Sequence, residues 1–482
     1  MIDHVATSDI ENLRDGIDAA WEEARRFGLD PFPTHFELVP ASIMYEFASY
    51  SLPGRFSHWT HGKAFYRQKM QYDLGLSKIY EMVVNTNPSY AFLMDMNSLL
   101  QNTFVAAHVF GHTDFFKNNA YFQHTSRRMI DKASIHAERI AKYEFDHGKD
   151  EVERFLDAVL SIQEHIDYNL LLQNENTPES ENAVTTASTA YDDLWDFDDK
   201  AKKAEEEREK RPGKPVKFPE KPEKDLLLFL IRHAPSLEPW QRDVIEIVRN
   251  EMLYFIPQMQ TKVMNEGWAS IWHSRIMREL GNKEVISDSD TVEFAQLHSG
   301  VLTPSRTSLN PYYIGYKIFE DIERRWDNPT REEQDRLGRK PGMGRQKIFE
   351  VRELDNDVSF LRNYLTEDLV KDLDLYLYKK EGDDWVIAEK NWQKVRDSIV
   401  SSMTNFGHPY LVVDNGDYHG NRELYLMHLF EGQELDLGYA EKTLQHVYIL
   451  WGRPVHLETV FEGKHILMTY DGERNSKSSL EK

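Results

Sequence analysis

The chain has 482 residues, with 58 Lys and Arg against 81 Asp and Glu, and its net charge is −23. Hydrophobic residues make up 40% of the sequence and aromatic residues 12%, which is enough for packed cores and excludes a disordered chain. The chain has no cysteine, which excludes disulfides, thiolate zinc sites, iron–sulfur clusters and a cysteine nucleophile. Any metal must therefore bind to His, Asp, Glu or Tyr.

The acidic charge argues against non-specific DNA binding, which requires a basic surface. No apolar run approaches 18 residues, and the first residues, MIDHVATSDIENLRDGID, lack the pattern of a signal peptide. At about 150 residues per domain, the length corresponds to two to four domains. We therefore expect an acidic, multidomain, cytoplasmic protein.

The N-terminal part, residues 1–175, is predicted to be mostly helical. Its first helix spans residues 8–27, from a Ser8 cap to Gly28, on the 3.6-residue apolar period. The segment from Met44 to Asp73 is dense in aromatic and basic residues. On so acidic a chain we interpret these aromatics as packing residues and not as a base-stacking surface.

A change of composition interrupts this pattern at residues 176–224, where polar, acidic, charge-alternating and Pro-rich stretches predict a linker or flexible insertion. Helical periodicity returns over residues 225–330. It completes the core through the helix that contains the string NEGWA, and residues 297–310 are predicted as a loop that enters a helix at Pro311. Residues 345–475 predict a C-terminal α+β domain, with the helix LGYAEKTLQHVYILWG and the hairpin PVHLETVFEGKHILMTYDG.

A pair of histidines is the sharpest local feature of the sequence. His108 and His112 continue an apolar helical stripe with Leu100, Phe104 and Phe116 at four-residue steps. Two inward-facing imidazoles one turn apart suit a divalent metal, although hydrogen-bonded core histidines explain the same spacing. The glutamate that zinc peptidases place inside this motif is missing, because Val109 and Gly111 occupy its two usual positions.

A later helix offers further ligands. Glu266 and His273 are seven residues apart and therefore share one helical face. The string NEGWA resembles the NEGFA-type segment that supplies the glutamate ligand in some two-His, one-Glu zinc peptidases. Alternatively, Glu266 caps a helix or pairs with a lysine, and His273 stacks among Trp268 and Trp272.

Other polar residues fall on apolar faces or beside the motifs. On helices predicted before residue 167 these are His136, Glu138, Glu164 and His165, and each has a structural explanation as well as a catalytic one. Tyr312, Tyr313 and Tyr316 follow the Glu266 helix, as oxyanion-stabilising tyrosines do in helical metallopeptidases, but packing between helices explains them equally. The sequence contains no Walker A, dinucleotide, serine-hydrolase or EF-hand motif.

Several long segments closely resemble the stage V sporulation protein R (SpoVR) family, in the family's order: RFSHWTHGKAFYRQK, AHVFGHTDFFKNN, LDAVLSIQEHID, MNEGWASIWH and LNPYYIGYKIFEDIE. The resemblance implies a cytoplasmic bacterial protein that acts in spore cortex formation, or in stress and stationary-phase physiology in hosts that do not sporulate. It also implies partners: a serine protein kinase with an AAA-type domain and a von Willebrand-A-like protein. No reaction is assigned to the family.

The predicted fold is thus mainly α, a zincin-like helical body with a flexible insertion and a smaller C-terminal α+β domain. The predicted ligands of a divalent metal are His108, His112 and Glu266, with His165 or His273 as a fourth ligand or a hydrogen-bond donor. Zinc is the favoured ion, and iron or manganese is the alternative.

Two functions fit these features. The first is a metal-dependent hydrolase that lacks the usual HExxH glutamate, with Glu138, Glu164, Tyr312 and Tyr313 as candidate catalytic residues. The second is a scaffold or regulator of the kinase complex whose histidines are structural or hold a metal without turnover. Because the resemblance covers Glu138 and His165, these two are preferred over His136 as companions of the histidine pair.

Overall fold

A computed structural model of the protein describes residues 7–49, 56, 58–73, 81–169, 217–304, 309–382 and 384–480. These residues are mainly helical and contain three small sheets, one of them in a C-terminal sheet domain, as predicted. The zincin likeness stays a prediction. Most of the predicted linker, residues 170–216, lies outside the described residues.

The helices are, in chain order, α1 (Thr7–Arg26), α2 (Ala41–Ser49), α3 (Trp59–Asp73), α4 (Leu99–Asn118), α5 (Met129–His147), α6 (Lys149–Leu160), α7 (Leu226–His233), α8 (Pro239–Gln260), α9 (Lys262–Asn282), α10 (Asp288–Val301), α11 (Pro311–Asp327), α12 (Arg331–Leu337), α13 (Gly344–Leu354), α14 (Asp357–Tyr364), α15 (Glu367–Asp372), α16 (Trp392–Met403) and α17 (Leu437–Trp451). The strands are β1 (Thr34–Val39), β2 (Glu81–Val84), β3 (Ser89–Met94), β4 (Leu377–Glu381), β5 (Asp384–Glu389), β6 (Leu411–Tyr418), β7 (Glu423–His428), β8 (Val455–Phe461), β9 (Lys464–Tyr470) and β10 (Asn475–Ser479). Within the described residues, no helix combines the length and the apolar character that a bilayer crossing requires.

The chain forms two compact units. The first contains Met1–Glu153 and Asn250–His408, and the second contains Arg154–Arg249 and Pro409–Lys482. Residues 345–408, which the sequence groups with the C-terminal domain, therefore belong to the first unit.

The first unit contains a sheet that the helical prediction for residues 1–175 missed. Strand β1 pairs in parallel with β3, Thr34 opposite Ser89, and β2 pairs antiparallel with β3. Strand β3 is buried on both faces, so the sequence SYAFLM shows no alternation of polar and apolar residues. Its partner β1 is remote in sequence. The prediction of a mostly helical segment did not include this sheet, because parallel pairing leaves no local pattern.

The aromatic and basic segment is only partly packed. Phe56 is buried, whereas Trp59 is 53% exposed and Tyr66 is 75% exposed on α3. The interpretation of these aromatics as packing residues therefore does not hold for Trp59 and Tyr66.

Helices α4, α9 and α11 form the centre of the first unit, and small residues let them approach closely. A Cβ on Gly111 of α4 would lie 2.6 Å from the Cα of Ala269 on α9. A Cβ on Gly267 of α9 would lie 2.4 Å from the Cα of Gly315 on α11. Because neither helix can move closer or rotate without a clash, these contacts fix the relative positions of the three helices.

Buried polar contacts hold the same helices in register. Asp114 of α4 accepts a hydrogen bond from the indole of Trp268 at 2.8 Å and pairs with Arg352 at 3.2 Å. Asp357 of α14 accepts hydrogen bonds from the backbone N–H groups of Val263 and Met264, at 2.8 and 2.9 Å. Asp357 thus satisfies the first turn of α9, whose own N-cap residue, Thr261, makes no side-chain capping hydrogen bond.

The second unit contains a five-stranded sheet in the order β10-β9-β8-β7-β6. The predicted C-terminal helix and hairpin are present as α17 and as β8–β9. The end of the predicted linker is packed in this unit: Glu223 exchanges backbone hydrogen bonds with Val413 of β6, and the N–H of Gly416 donates to Phe218. Residues 217–224 therefore extend the β6 edge.

Candidate metal centre

The histidine pair and Glu266 meet inside the first unit, where α4 packs against α9. The Nε2 atoms of His108 and His112 each lie 3.5 Å from the same oxygen, Oε2 of Glu266. One ligand atom from each residue lies within 4.8 Å of the other two. Both imidazoles are buried, and the Glu266 side chain is 19% exposed. The structure thus brings together the three residues predicted as ligands from helical spacing alone.

These separations suit a small divalent ion. Zinc binds imidazole nitrogen and carboxylate oxygen at 2.0–2.2 Å in a tetrahedral arrangement, so its ligand atoms lie about 3.4 Å apart. Among the described residues, Oε2 of Glu266 is buried without a hydrogen-bond partner. A buried carboxylate oxygen in that position is costly unless a cation balances it. The donor set therefore fits a metal.

The nitrogen of His112 that faces away from Glu266 has its own partner. Nδ1 of His112 lies 2.9 Å from Oδ1 of Asn265, the residue before Glu266 on α9. The Asn265 oxygen only accepts, so His112 carries its proton on Nδ1 and presents the lone pair of Nε2 toward Glu266. Sequence reasoning missed Asn265, although it lies inside the NEGWA string.

A second histidine contact lies behind His108. Nδ1 of His108 is 2.7 Å from Nδ1 of His273, and Nε2 of His273 is 2.8 Å from Nδ1 of His298. Both ring nitrogens of His273 are therefore occupied by other histidines, which makes His273 a support for His108 and not a fourth ligand in this geometry.

His298 was missed because residues 297–310 were predicted as a loop. Helix α10 continues to Val301 and carries His298. Phe294 and His298 are four residues apart, and their rings stack at 5.7 Å. This four-residue step is the helical pattern from which His298 could have been predicted.

The imidazoles of His112, His273 and His298 are kept neutral by their surroundings. Burial, reinforced by His108, lowers the pKa of His112 to about 4. Burial and nearby positive charge lower the pKa of His298 to about 4, and burial places the pKa of His273 well below its usual value. Burial alone would raise the pKa of Glu266, but His108, His112 and Lys262, in their protonated forms, outweigh it and hold that pKa below the ordinary value. Neutral imidazole and ionised carboxylate are the forms that bind metals.

The remaining candidates are placed differently. The ring of Tyr312 stacks on His108 at 5.9 Å, whereas Tyr313 packs against the apolar core. Glu138 is exposed on α5. His136 pairs with Glu251 at 3.1 Å, apart from the cluster.

Glu164 and His165 lie in the second unit, after α6 has ended at Leu160, and the cluster found among the described residues does not include them.

The structure also explains the missing glutamate of the HExxH motif. Val109 is fully buried within the apolar core. Gly111 is pressed against the backbone of Ala269, which leaves no room for a side chain. No carboxylate base can therefore come from within the His108–His112 turn of α4.

A cavity of about 820 Å³ opens one turn before His108 on α4. Its wall includes Gln101 and Phe104 of α4 together with Glu293, Gln296 and Leu297 of α10. The Phe104 ring lies between this cavity and the histidines, since it contacts His273 edge-on at 4.5 Å.

Comparison with known proteins agrees with the sequence resemblance. The family model described as SpoVR like protein matches residues 7–408, and the SpoVR-like C-terminal domain matches residues 409–462. The chain is 30% identical to the uncharacterized protein YcgB of Escherichia coli (strain K12) over 463 residues, which cover 90% of this chain and 89% of the relative. No solved structure matches the chain. The boundary between the two family models, at 408 and 409, coincides with a boundary between the two compact units. The chain belongs to the SpoVR family.

Proposed function

We propose that this SpoVR-family protein binds one divalent metal ion through His108, His112 and Glu266. The observation that carries the proposal is the shared oxygen: two imidazole Nε2 atoms approach one buried carboxylate oxygen at 3.5 Å each. Zinc is the favoured ion, because two imidazoles and one carboxylate form its usual three-ligand set with a position left for water or substrate. Iron or manganese also accepts these ligands.

The bound ion would supply Lewis acidity next to Tyr312, which stacks over His108. Hydrolysis of a peptide bond, in a protein or in the cell wall, is the reaction class that this ligand set supports in helical metallopeptidases. A proton acceptor would have to come from outside α4, since Val109 and Gly111 leave none in the usual positions. A substrate in the 820 Å³ cavity would reach the ion only after the Phe104 ring, which separates the cavity from the histidines, had moved aside.

The biological process is proposed from the family: spore cortex formation in sporulating hosts and stress physiology in others, in the cytoplasm. The second candidate is a scaffold or regulator that works with a serine protein kinase and a von Willebrand-A-like protein. The observation that favours it is the absence of a base in the histidine motif. In that case the metal would stabilise the first unit without turnover.

The test is metal content. Full-length protein purified without a histidine tag is stripped, reconstituted separately with zinc, manganese or iron, and analysed for bound metal after dialysis. We expect about one ion per chain, and we expect His112→Ala to lose it. His136→Ala is the matched control, because it also removes a buried imidazole with a carboxylate partner. If the reconstituted wild type retains no more zinc, manganese or iron than the background level, the proposal is refuted.

A further inference from the structure

Three imidazoles form a continuous hydrogen-bonded chain that starts at the proposed ligand His108. His108 on α4 meets His273 on α9 through their Nδ1 atoms at 2.7 Å. His273 meets Nδ1 of His298 on α10 through its Nε2 atom at 2.8 Å. Each contact joins two nitrogens, so each needs one proton between them. The protons in the chain therefore cannot be assigned independently.

Only two proton arrangements satisfy a chain of neutral imidazoles. In the outward arrangement, Nδ1–H of His108 donates to His273, and Nε2–H of His273 donates to Nδ1 of His298. In the inward arrangement, His298 donates to His273 and His273 donates to His108, so the remaining proton of His108 is on Nε2. The outward arrangement leaves Nε2 of His108 with a lone pair that faces Glu266. The inward arrangement places a proton on that nitrogen, which then cannot bind a metal.

Aromatic rings line this chain. Phe104 lies edge-on to His273 at 4.5 Å, while Phe294 stacks on His298 at 5.7 Å and Tyr316 meets it at 5.5 Å. His273 has no exposed surface. His298 itself is half-buried, but the His273 ring behind it is closed off from solvent, so water does not readily replace the partner of the His273 Nε2 atom.

We infer that His298 is a positioning residue that sets the tautomer of His108 through His273. This inference rests on the proposed metal site. When Nδ1 of His298 accepts a hydrogen bond from Nε2–H of His273, the chain is held in the outward arrangement and His108 can bind the metal. Without that acceptor, His273 is free to carry its proton on Nδ1, which forces the proton of His108 onto Nε2.

His112 provides an internal contrast. Its tautomer is fixed directly by Oδ1 of Asn265 and does not involve the histidine chain. A change at His298 should therefore weaken metal binding through one ligand and leave the other two ligands in place. Loss of a hydrogen-bond partner of a ligating histidine typically weakens binding by about 10- to 100-fold.

The experiment compares His298→Leu, which removes the acceptor, with His298→Asn, whose side-chain oxygen can replace it. Zinc affinity is measured by competition with a chelator in the full-length chain. We expect His298→Leu to bind zinc about 10- to 100-fold more weakly and His298→Asn to remain within about threefold of the wild type. Equal affinity of the leucine variant and the wild type would overturn the inference and leave the metal site standing.

A spectroscopic measurement covers the case in which His298→Leu fails to fold. Long-range ¹H–¹⁵N correlation of the metal-free wild type, in which no ion fixes the tautomer of His108, reports which nitrogen of each imidazole carries the proton. We expect the proton on Nδ1 of His108 and on Nε2 of both His273 and His298. A proton on Nδ1 of His298 would contradict the inference. If the wild type binds none of zinc, manganese and iron, it is the proposed function that fails.

Discussion

The close contact between Gly111 and Ala269 provides the strictest test of how the fold positions the site. Gly111 lies directly before His112, and Ala269 lies three residues after Glu266. In a Gly111→Ala variant, the new Cβ would lie 2.6 Å from the Cα and 3.1 Å from the Cβ of Ala269. Carbon atoms in contact prefer about 3.5–4.0 Å, so α4 and α9 would have to separate by about 1 Å.

Two energetic effects oppose each other in this variant. Overpacking at a backbone contact costs about 1–3 kcal/mol. Replacing glycine by alanine inside a helix returns about 1 kcal/mol. The free energy of unfolding of the metal-free protein should therefore fall by no more than about 2 kcal/mol. Metal ligands, in contrast, must stay within about 0.2 Å of their ideal distances, so a 1 Å shift should abolish tight binding.

The assay pairs urea unfolding of the metal-free protein with zinc affinity by chelator competition. The matched control is Gly62→Ala, at an exposed position of α3 where a Cβ would meet nothing within 4 Å. The control should gain up to about 1 kcal/mol and keep its zinc affinity. If Gly111→Ala binds zinc as tightly as the wild type, then α4–α9 packing does not position the ligands and the reasoning fails.

Two further predictions concern the same turn of α4. The pKa of His112 is lowered from 6.5 to about 4, so as the pH falls this histidine is protonated in the unfolded chain before it is protonated in the folded chain. Between pH 6.5 and 4 the metal-free wild type should therefore lose about 3 kcal/mol of unfolding free energy from this group. The His112→Gln variant should lose correspondingly less. Equal pH slopes in urea unfolding of the two proteins would contradict this. Val109→Glu restores the glutamate of the HExxH motif but places a carboxylate in the apolar core. The variant should therefore have an unfolding free energy lower by more than about 3 kcal/mol, and it should show no peptidase activity. An unchanged melting temperature for Val109→Glu would contradict this prediction, because it would mean that the carboxylate lies outside the apolar core.

The sequence by itself determined the features that depend on neighbours along one helix. The four-residue step from His108 to His112 places both imidazoles on one face of α4, and that face is buried because almost the whole of α4 is buried. The end of α1 before Gly28, and the helix and hairpin after residue 436, follow from turns and periodicity in the same way, whereas the predicted cap Ser8 lies inside α1. These interactions span few residues, so their signals are local.

Tertiary structure alone decided which residues complete the site. His112 and Asn265 are 153 positions apart, and no spacing in the sequence indicates their hydrogen bond. His273 has the helical phase of a ligand, yet its contacts with His108 and His298 follow from how α9 packs against α4 and α10. The parallel pairing of β1 with β3 is hidden for the same reason. Periodicity shows which way a side chain points, but the partner it meets depends on how separate helices and strands pack.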